Sequence, residues 1–286
     1  MERKSYAKIN LTLDITGLME NGYHSLRMIM HSVNLYDTIT IKESDTRNIE
    51  LHTNYSFIPT NEKNHAFRAA KLFFEYTGIQ NKGIVIDIKK RIPVSAGLAG
   101  GSSNAATVLK MLNDFHHTKL SKEQLCEIGC SIGADVPYCI HGGTMLAEGI
   151  GEILIPIPSM PSIPIVLVKP NFGVSTPESF RHWDLLKSPV HPDTDKMLTA
   201  LQNKNKEEIG KYLCNTLEFA TFDLIGQARD NPIPKIKETM LDCGAYGALM
   251  SGSGPTVFGL FPSEHAANHA SKKLKTSSNK VYVTTT

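Results

Sequence analysis

The chain has 286 residues, 41% of them hydrophobic and 20% charged, with a formal net charge of +2. That is length for one large or two ordinary domains, and composition for a soluble globular protein with an ample core. It excludes the broad basic field of a nucleic-acid binder and any acidic tail, although basic residues thicken locally in KKRIP (89–93) and SKKLK (271–275).

Five cysteines (Cys126, Cys130, Cys139, Cys214, Cys243) are odd in number and form no CxxC pair. Cys126 and Cys130 share a helix face, but no matching Cys/His pair follows. Buried free thiols in a reducing cytoplasm are the expectation. MERKSYAKINLTLDI turns polar or charged too often for a signal-peptide core, and no apolar run approaches the roughly 20 residues of a membrane helix. A soluble, cytoplasmic protein without nucleic-acid or membrane partners is expected.

In chain order, YAKINLTLDITG (6–17) alternates apolar and polar residues as a half-buried strand does, and NGYH (21–24) punctuates it. VNLYDTITIKE (33–43) and IELHT (49–53) read as further strands. HAFRAAKLFFEYTG (65–78) has helical spacing and a glycine stop. GIVIDI (83–88) returns to strand, and a glycine-rich loop delivers the chain into a helix at about Ser102. LSKEQLCEIGCSIGADVP (120–137) predicts one helix with Ser121 as N-cap, and GGTMLAEGIGEIL (142–154) a hairpin. Prolines crowd IPIPSMPSIP (155–164), which places a boundary between domains 1–155 and 156–286. A strand (165–169), several helices (176–242), two strands broken by SGSGP (246–261), a helix (263–274) and a strand (280–285) follow. Strands and helices mixed without a βαβ rhythm predict two α+β domains.

PVSAGLAGGSS (93–103) sets bare backbone where a helix begins. Unpaired N–H groups and the positive end of the helix dipole attract anions there, and glycines let a polyphosphate approach closely. A Walker A loop is excluded because no lysine follows the glycines, and the dinucleotide fingerprint because Gly97, Gly100 and Gly101 have the wrong spacing. By composition alone a flexible strand-to-helix turn competes on even terms with a phosphate loop.

The order of elements adds to this. An early strand carrying Lys8, then PxxxGLxGGSS, then a late SGSGP, in that order and across almost the whole chain, resembles the GHMP kinases, small-molecule kinases named for galactose, homoserine, mevalonate and phosphomevalonate. AKINLTLDITGLMENGYHSL (7–26) and GADVPYC (133–139) are similar to the branch that acts on a cytidine-diphosphate-linked methylerythritol in non-mevalonate isoprenoid synthesis. Ala96 and Ala99 stand where many members carry glycine, and Asn104 where aspartate is common.

The resemblance implies a two-domain α+β fold of mixed and antiparallel sheets with helices, its active site in the cleft between domains. It implies ATP as phosphoryl donor with Mg2+, a small-molecule acceptor phosphorylated on its 2-hydroxyl, and a monomer or weak homodimer. Asp135 then corresponds to the residue that deprotonates the acceptor hydroxyl, and Lys8 to the cation beside it. Read alone, Asp135 is a capping carboxylate and Lys8 a lysine on the solvent face of a strand. The phosphate loop takes in Pro93, Val94, Ser95, Ala96, Gly97, Leu98, Ala99, Gly100, Gly101, Ser102 and Ser103. Ser251, Gly252, Ser253 and Gly254 form the family's third glycine motif, which otherwise reads as a hairpin turn.

By the same carry-over Asn10, Tyr23 and His24 line the acceptor pocket, with Tyr23 stacking on cytosine and His24 at the base edge. Phe180, in competition with Phe172, covers the other face. Asn64 and Lys90 approach the adenine, with helix capping and strand-end charge as their bland alternatives. Magnesium arrives with ATP, and Ser103 and Glu148 are the side chains open to it. Another GHMP kinase acting on mevalonate or homoserine, or a non-catalytic nucleotide-binding relative, are the alternatives; NGYHSL, whose aromatic and histidine suit a nucleobase, argues against the first.

Overall fold

A computed structural model describes residues 1–20 and 22–286, with side chains at all of these except 227 and 228. Asn21, the first residue of the NGYH punctuation, lies outside the described residues.

The chain opens with two long strands, β1 (Glu2–Leu18) and β2 (His24–Glu43), then β3 (Ile49–Thr53), α1 (His65–Thr77) and β4 (Ile84–Lys89). Three helices follow: α2 (Gly100–Phe115), α3 (Lys122–Cys130) and α4 (Asp135–His141). The hairpin β5 (Thr144–Gly149) and β6 (Ile153–Pro156) leads to β7 (Pro164–Pro170). Next come α5 (Thr176–Trp183), α6 (Thr194–Gln202), α7 (Lys206–Lys211), the short β8 (Cys214–Asn215), α8 (Leu217–Ala228) and α9 (Ile233–Asp242). The chain closes with β9 (Gly247–Met250), β10 (Val257–Leu260), α10 (Glu264–Leu274) and β11 (Asn279–Thr285). The expected α+β class is observed.

Packing divides the chain into two units, neither continuous in sequence. The first holds residues 1–7, 35–92 and 99–142, and the second 8–34, 93–98 and 143–286. In the first unit β4 pairs antiparallel with the end of β2, from Thr38↔Lys89 to Glu43↔Ile84, and parallel with β3. Ile39, Ile41, Ile84, Ile86 and Ile88 turn from this mixed sheet toward Phe73 of α1 and Val108, Leu109 and Leu112 of α2 in one core. Helix α1 is bounded as its sequence indicates: Asn64 accepts from the Ala66 N–H at its start, and Gly78 closes it at φ +67°.

Ser121 caps α3 in a reciprocal capping box with Gln124. The helix expected over 120–137 does not run through. It ends at Cys130, and α4 starts at Asp135. Val136 folds back onto α3 where Gly129 has no side chain; a Cβ there would lie 2.8 Å from Val136 Cγ1. Pro137, which would break a continuous helix, falls in the first turn of α4, where its missing N–H costs nothing.

In the second unit the N-terminal part of β2 pairs antiparallel with β5, from Leu26↔Gly149 to His31↔Thr144, and β5 with β6. β2 thus begins at His24, nine residues before the strand expected from sequence. β8 lies parallel to β1 at Thr12↔Cys214. A separate antiparallel sheet runs β11-β7-β10-β9. Val166, Val168 and Val257 of that sheet share a core with Ile233, Ile236 and Met240 of α9 and with Ala267, Ala270 and Leu274 of α10. No helix among the described residues is long and apolar enough to cross a membrane.

Candidate active site

Between β4 and α2 the chain runs through Pro93 and the glycine loop. Ser95, Gly97 and Ala99 take left-handed backbone, at φ +50°, +72° and +54°. Ala99 is the N-cap of α2, and no described side chain caps the helix. The N–H groups of its first turn are thus left to an outside acceptor, and an anion suits them. Ala96 and Leu98 are buried, so backbone is what they offer a ligand, whereas Val94 is exposed.

In the first unit, a buried polar network holds both ends of this loop. Asp37 is fully buried on β2. Its Oδ1 accepts from the N–H groups of Arg91 (2.7 Å) and Ile92 (2.8 Å). Its Oδ2 accepts from the Lys90 ammonium and from Asn104 Nδ2 (2.8 Å). Asn104 also donates to Ser5 Oγ (2.9 Å) and accepts from Lys90 Nζ (3.0 Å), while the Ser5 and Ser103 hydroxyls meet at 2.8 Å. Lys90 is therefore an interior cation here, and Ser103 a buried hydroxyl with a protein partner. Asn64, besides capping α1, donates to the Pro59 carbonyl at 2.8 Å.

Asp135 is the first residue of α4 and half-buried, at the start of a helix where sequence had placed it at the end of one. The far end of α4 is fastened to α2: Lys110 Nζ donates to the carbonyls of Cys139 (3.1 Å) and Ile140 (3.4 Å). Burial lowers the Lys110 pKa.

In the second unit, Lys8 is buried, so the solvent-face alternative does not hold. Its ammonium donates to Asn10 Oδ1 at 2.6 Å, and Asn10 Nδ2 to Met28 Sδ at 3.3 Å. The Lys8 N–H donates to the Leu98 carbonyl at 3.2 Å, tying β1 to the glycine loop. The SGSGP turn closes on the same loop. Ser251 Oγ donates to the Gly97 carbonyl at 2.9 Å, and a Cβ at Gly97 would lie 2.0 Å from the Ser251 carbonyl oxygen. A Cβ on Gly252 would come within 3.5 Å of Lys8 Nζ. Lys8, Gly97, Leu98, Ser251 and Gly252, chosen from three distant motifs, thus meet. The turn carries a cis Gly254–Pro255 bond. Asn215 buttresses it with bonds from Nδ2 to the Met250 and Gly252 carbonyls, both 2.8 Å, and Ser253 Oγ meets Thr176 Oγ1 at 2.7 Å.

Further along the same unit, the His24 ring stacks on Phe180 with centroids 5.0 Å apart and meets Trp183 edge-on at 5.7 Å. Asp184 Oδ1 lies 2.7 Å from His24 Nε2. Phe180 is therefore the aromatic that joins His24, while Phe172 lies under the Arg229 guanidinium at 4.9 Å. Tyr23 is 62% exposed. Glu148 faces Arg27 Nε at 3.6 Å across the β2–β5 pair. Asp37, Ser5, Asn215, Thr176 and Asp184 were not singled out from sequence; each works through a partner at least 30 residues away, which no local motif announces.

Comparison with known proteins gives the class. Residues 64–143 match the model of the GHMP kinases N terminal domain and residues 197–280 that of the GHMP kinases C terminal region. The chain is a GHMP kinase by both halves of that fold. A curated relative from Caldicellulosiruptor bescii, named 4-diphosphocytidyl-2-C-methyl-D-erythritol kinase, is 45% identical over 286 residues, covering 100% of this chain and 98% of its own. A crystal structure of 4-(cytidine 5'-diphospho)-2C-methyl-D-erythritol kinase superposes with a TM-score of 0.82 at 31% identity, covering 100% of this chain and 98% of its own. Homoserine kinase from Cytophaga hutchinsonii, at 21% identity, shares the fold with a TM-score of 0.75 over 99% of this chain and 94% of its own. Within the GHMP kinases, the chain belongs to the 4-diphosphocytidyl-2-C-methyl-D-erythritol kinase family.

Proposed function

We propose that the protein transfers the γ-phosphoryl group of ATP to the 2-hydroxyl of 4-diphosphocytidyl-2-C-methyl-D-erythritol, a step of non-mevalonate isoprenoid synthesis. The bond from Pγ to the β,γ-bridging oxygen breaks, a bond from Pγ to the 2-oxygen forms, and ADP leaves. Asp135 takes the proton of the 2-hydroxyl, a contribution typically worth about 10²–10⁴ in rate. Lys8 offsets charge on the transferring group, which needs positioning and charge stabilisation above all.

The donor phosphates lie on the backbone of residues 93–103 and of Ser251, Gly252, Ser253 and Gly254. The single observation that carries this reading is the closure of the SGSGP turn on Gly97 beside Lys8 Nζ. Asn64 stands on the adenine side; Lys90, held through its ammonium by Asp37 and Asn104 and through its main chain by Asn54, backs that side from the interior without contacting the base. His24, Phe180, Tyr23 and Asn10 form the acceptor side, with the cytosine between Tyr23 and Phe180.

Among the described residues no group of three or more His, Cys, Asp or Glu is placed to hold a metal ion. A magnesium ion would arrive with the ATP, with Ser103 or Glu148 as the side chain open to it. Bound there, it neutralises phosphate charge. We place the protein in the cytoplasm as a monomer or weak homodimer without nucleic-acid or membrane partners, and the boundary between its two family domains at 155/156.

The test is ADP release with Mg-ATP and a panel of acceptors: the cytidylyl methylerythritol, its uridylyl analogue, mevalonate and homoserine. Turnover of the cytidylyl compound alone is the expected result. Turnover of mevalonate or homoserine instead contradicts the acceptor assignment and leaves the kinase class intact.

A further inference from the structure

The carboxylate of Asp37 has four acceptor positions and four donors: the Arg91 and Ile92 N–H groups, Asn104 Nδ2 and the Lys90 ammonium. Its two oxygens divide the work. Oδ1 takes adjacent N–H groups where the chain leaves β4, which fixes the direction in which residue 93 departs. Oδ2 takes Asn104, in the second turn of α2, and Lys90 bonds to both Asp37 and Asn104. One side chain thus sets the distance between the entry to the glycine loop and the helix that ends it.

Two features make that distance matter. Residues 93–99 span it with only one glycine, and Ser95 and Ala99 sit in left-handed backbone that costs a side-chain-bearing residue about 1–2 kcal/mol each. Such strain persists where the surroundings over-determine it. A buried ion pair is also weak support for stability, since apolar residues of similar size often serve as well. It is better suited to fixing geometry.

We propose that Asp37 is a positioning residue for the donor phosphates: it pre-shapes the glycine loop without touching nucleotide, and Lys90 serves as its counter-ion. This rests on the kinase reading above. A residue that shapes the phosphate cradle acts on ligands that carry phosphate, and leaves adenosine alone. A residue needed only for folding affects neither selectively, and a base contact affects both.

The experiment is calorimetric titration of Mg-ADP and of adenosine into wild type, Asp37→Asn, and a charge-free pair, Asp37→Leu with Lys90→Met. In Asp37→Asn an amide NH2 faces the Asn104 and Lys90 donors, so the link to α2 is lost. The apolar pair removes the unpaired charge that threatens folding of the single variant. Thermal unfolding identifies which variants are folded. The expected result is Mg-ADP affinity at least 10-fold weaker in the folded variants, adenosine affinity within 2-fold of wild type, and kcat at saturating ATP lowered far less than KM is raised. Mg-ADP affinity within 2-fold of wild type in a folded variant overturns the assignment, and so does an equal loss for adenosine. A wild type that binds neither ligand overturns the kinase reading itself.

Discussion

Ala99 takes φ +54° at the point where α2 begins, a conformation in which a side chain costs about 1–2 kcal/mol and a glycine nothing. Ala99→Gly removes that cost but gives the unfolded chain more freedom, an opposing effect of about 0.4–1 kcal/mol. A net gain of between zero and about 1.5 kcal/mol in urea unfolding is the expected outcome. Gly97 is the opposite case. Gly97→Ala adds a Cβ 2.0 Å from the Ser251 carbonyl oxygen at φ +72°, so the SGSGP turn must move away from the loop. Isothermal titration is expected to show weaker Mg-ADP binding by 10-fold or more, and unchanged affinity contradicts the role of that closure. Asp135→Asn tests a different atom. It keeps shape and removes the base, so kcat is expected to fall about 10²–10⁴-fold while Mg-ADP affinity stays within 2-fold. A variant that loses nucleotide binding in parallel would make Asp135 a binding residue.

At the scale of elements, Lys110 joins α2, which ends the donor loop, to α4, which starts with Asp135. Lys110→Met keeps the apolar stem and drops two charge-assisted hydrogen bonds. The expected effect is about 1.5–3 kcal/mol of stability and faster amide exchange through residues 135–141. Exchange that rises evenly over the molecule would deny the helix a specific tie.

Much of this arrangement was legible in the sequence. Gly78 and Ser121 bound their helices as their residue types indicate, because caps are local hydrogen-bond chemistry. The glycine loop and SGSGP were legible because bare backbone is rare without a use. The break between α3 and α4 was not, since helical periodicity carries through residues 131–134 and the close approach of Val136 to Gly129 is tertiary. Lys8 misled for a related reason: alternation marks the strand, but both of its faces are covered. Asp37 was hidden because its partners Lys90 and Asn104 lie 53 and 67 residues away.

For the molecule as a whole, the clearest pH dependence comes from His31. Burial holds its pKa down to about 4. Nδ1 meets Thr144 Oγ1 at 2.8 Å, and Nε2 has no hydrogen-bond partner among the described residues. The folded protein keeps this imidazole neutral while the unfolded chain binds a proton near 6.5. The contribution of His31 to stability is therefore full above pH 6.5 and declines as pH falls toward 4, by about 3 kcal/mol in all. Below pH 4 both states are protonated and the loss levels off. Unfolding of wild type and His31→Asn from pH 8 to pH 4 checks this: the difference should move in favour of the variant as pH falls, and parallel curves would show that His31 is not the group responsible.

The reaction itself is tested most directly by phosphorus NMR of the product made from Mg-ATP and the cytidylyl methylerythritol. The 2-carbon carries a methyl group and no hydrogen, so a phosphate ester on its oxygen has no three-bond proton coupling. The expected spectrum contains ADP and a new monoester resonance that remains a singlet without proton decoupling. A monoester split by carbinol protons would put the phosphate on another hydroxyl, and no new ester from a protein that binds ATP would contradict phosphoryl transfer to this acceptor altogether.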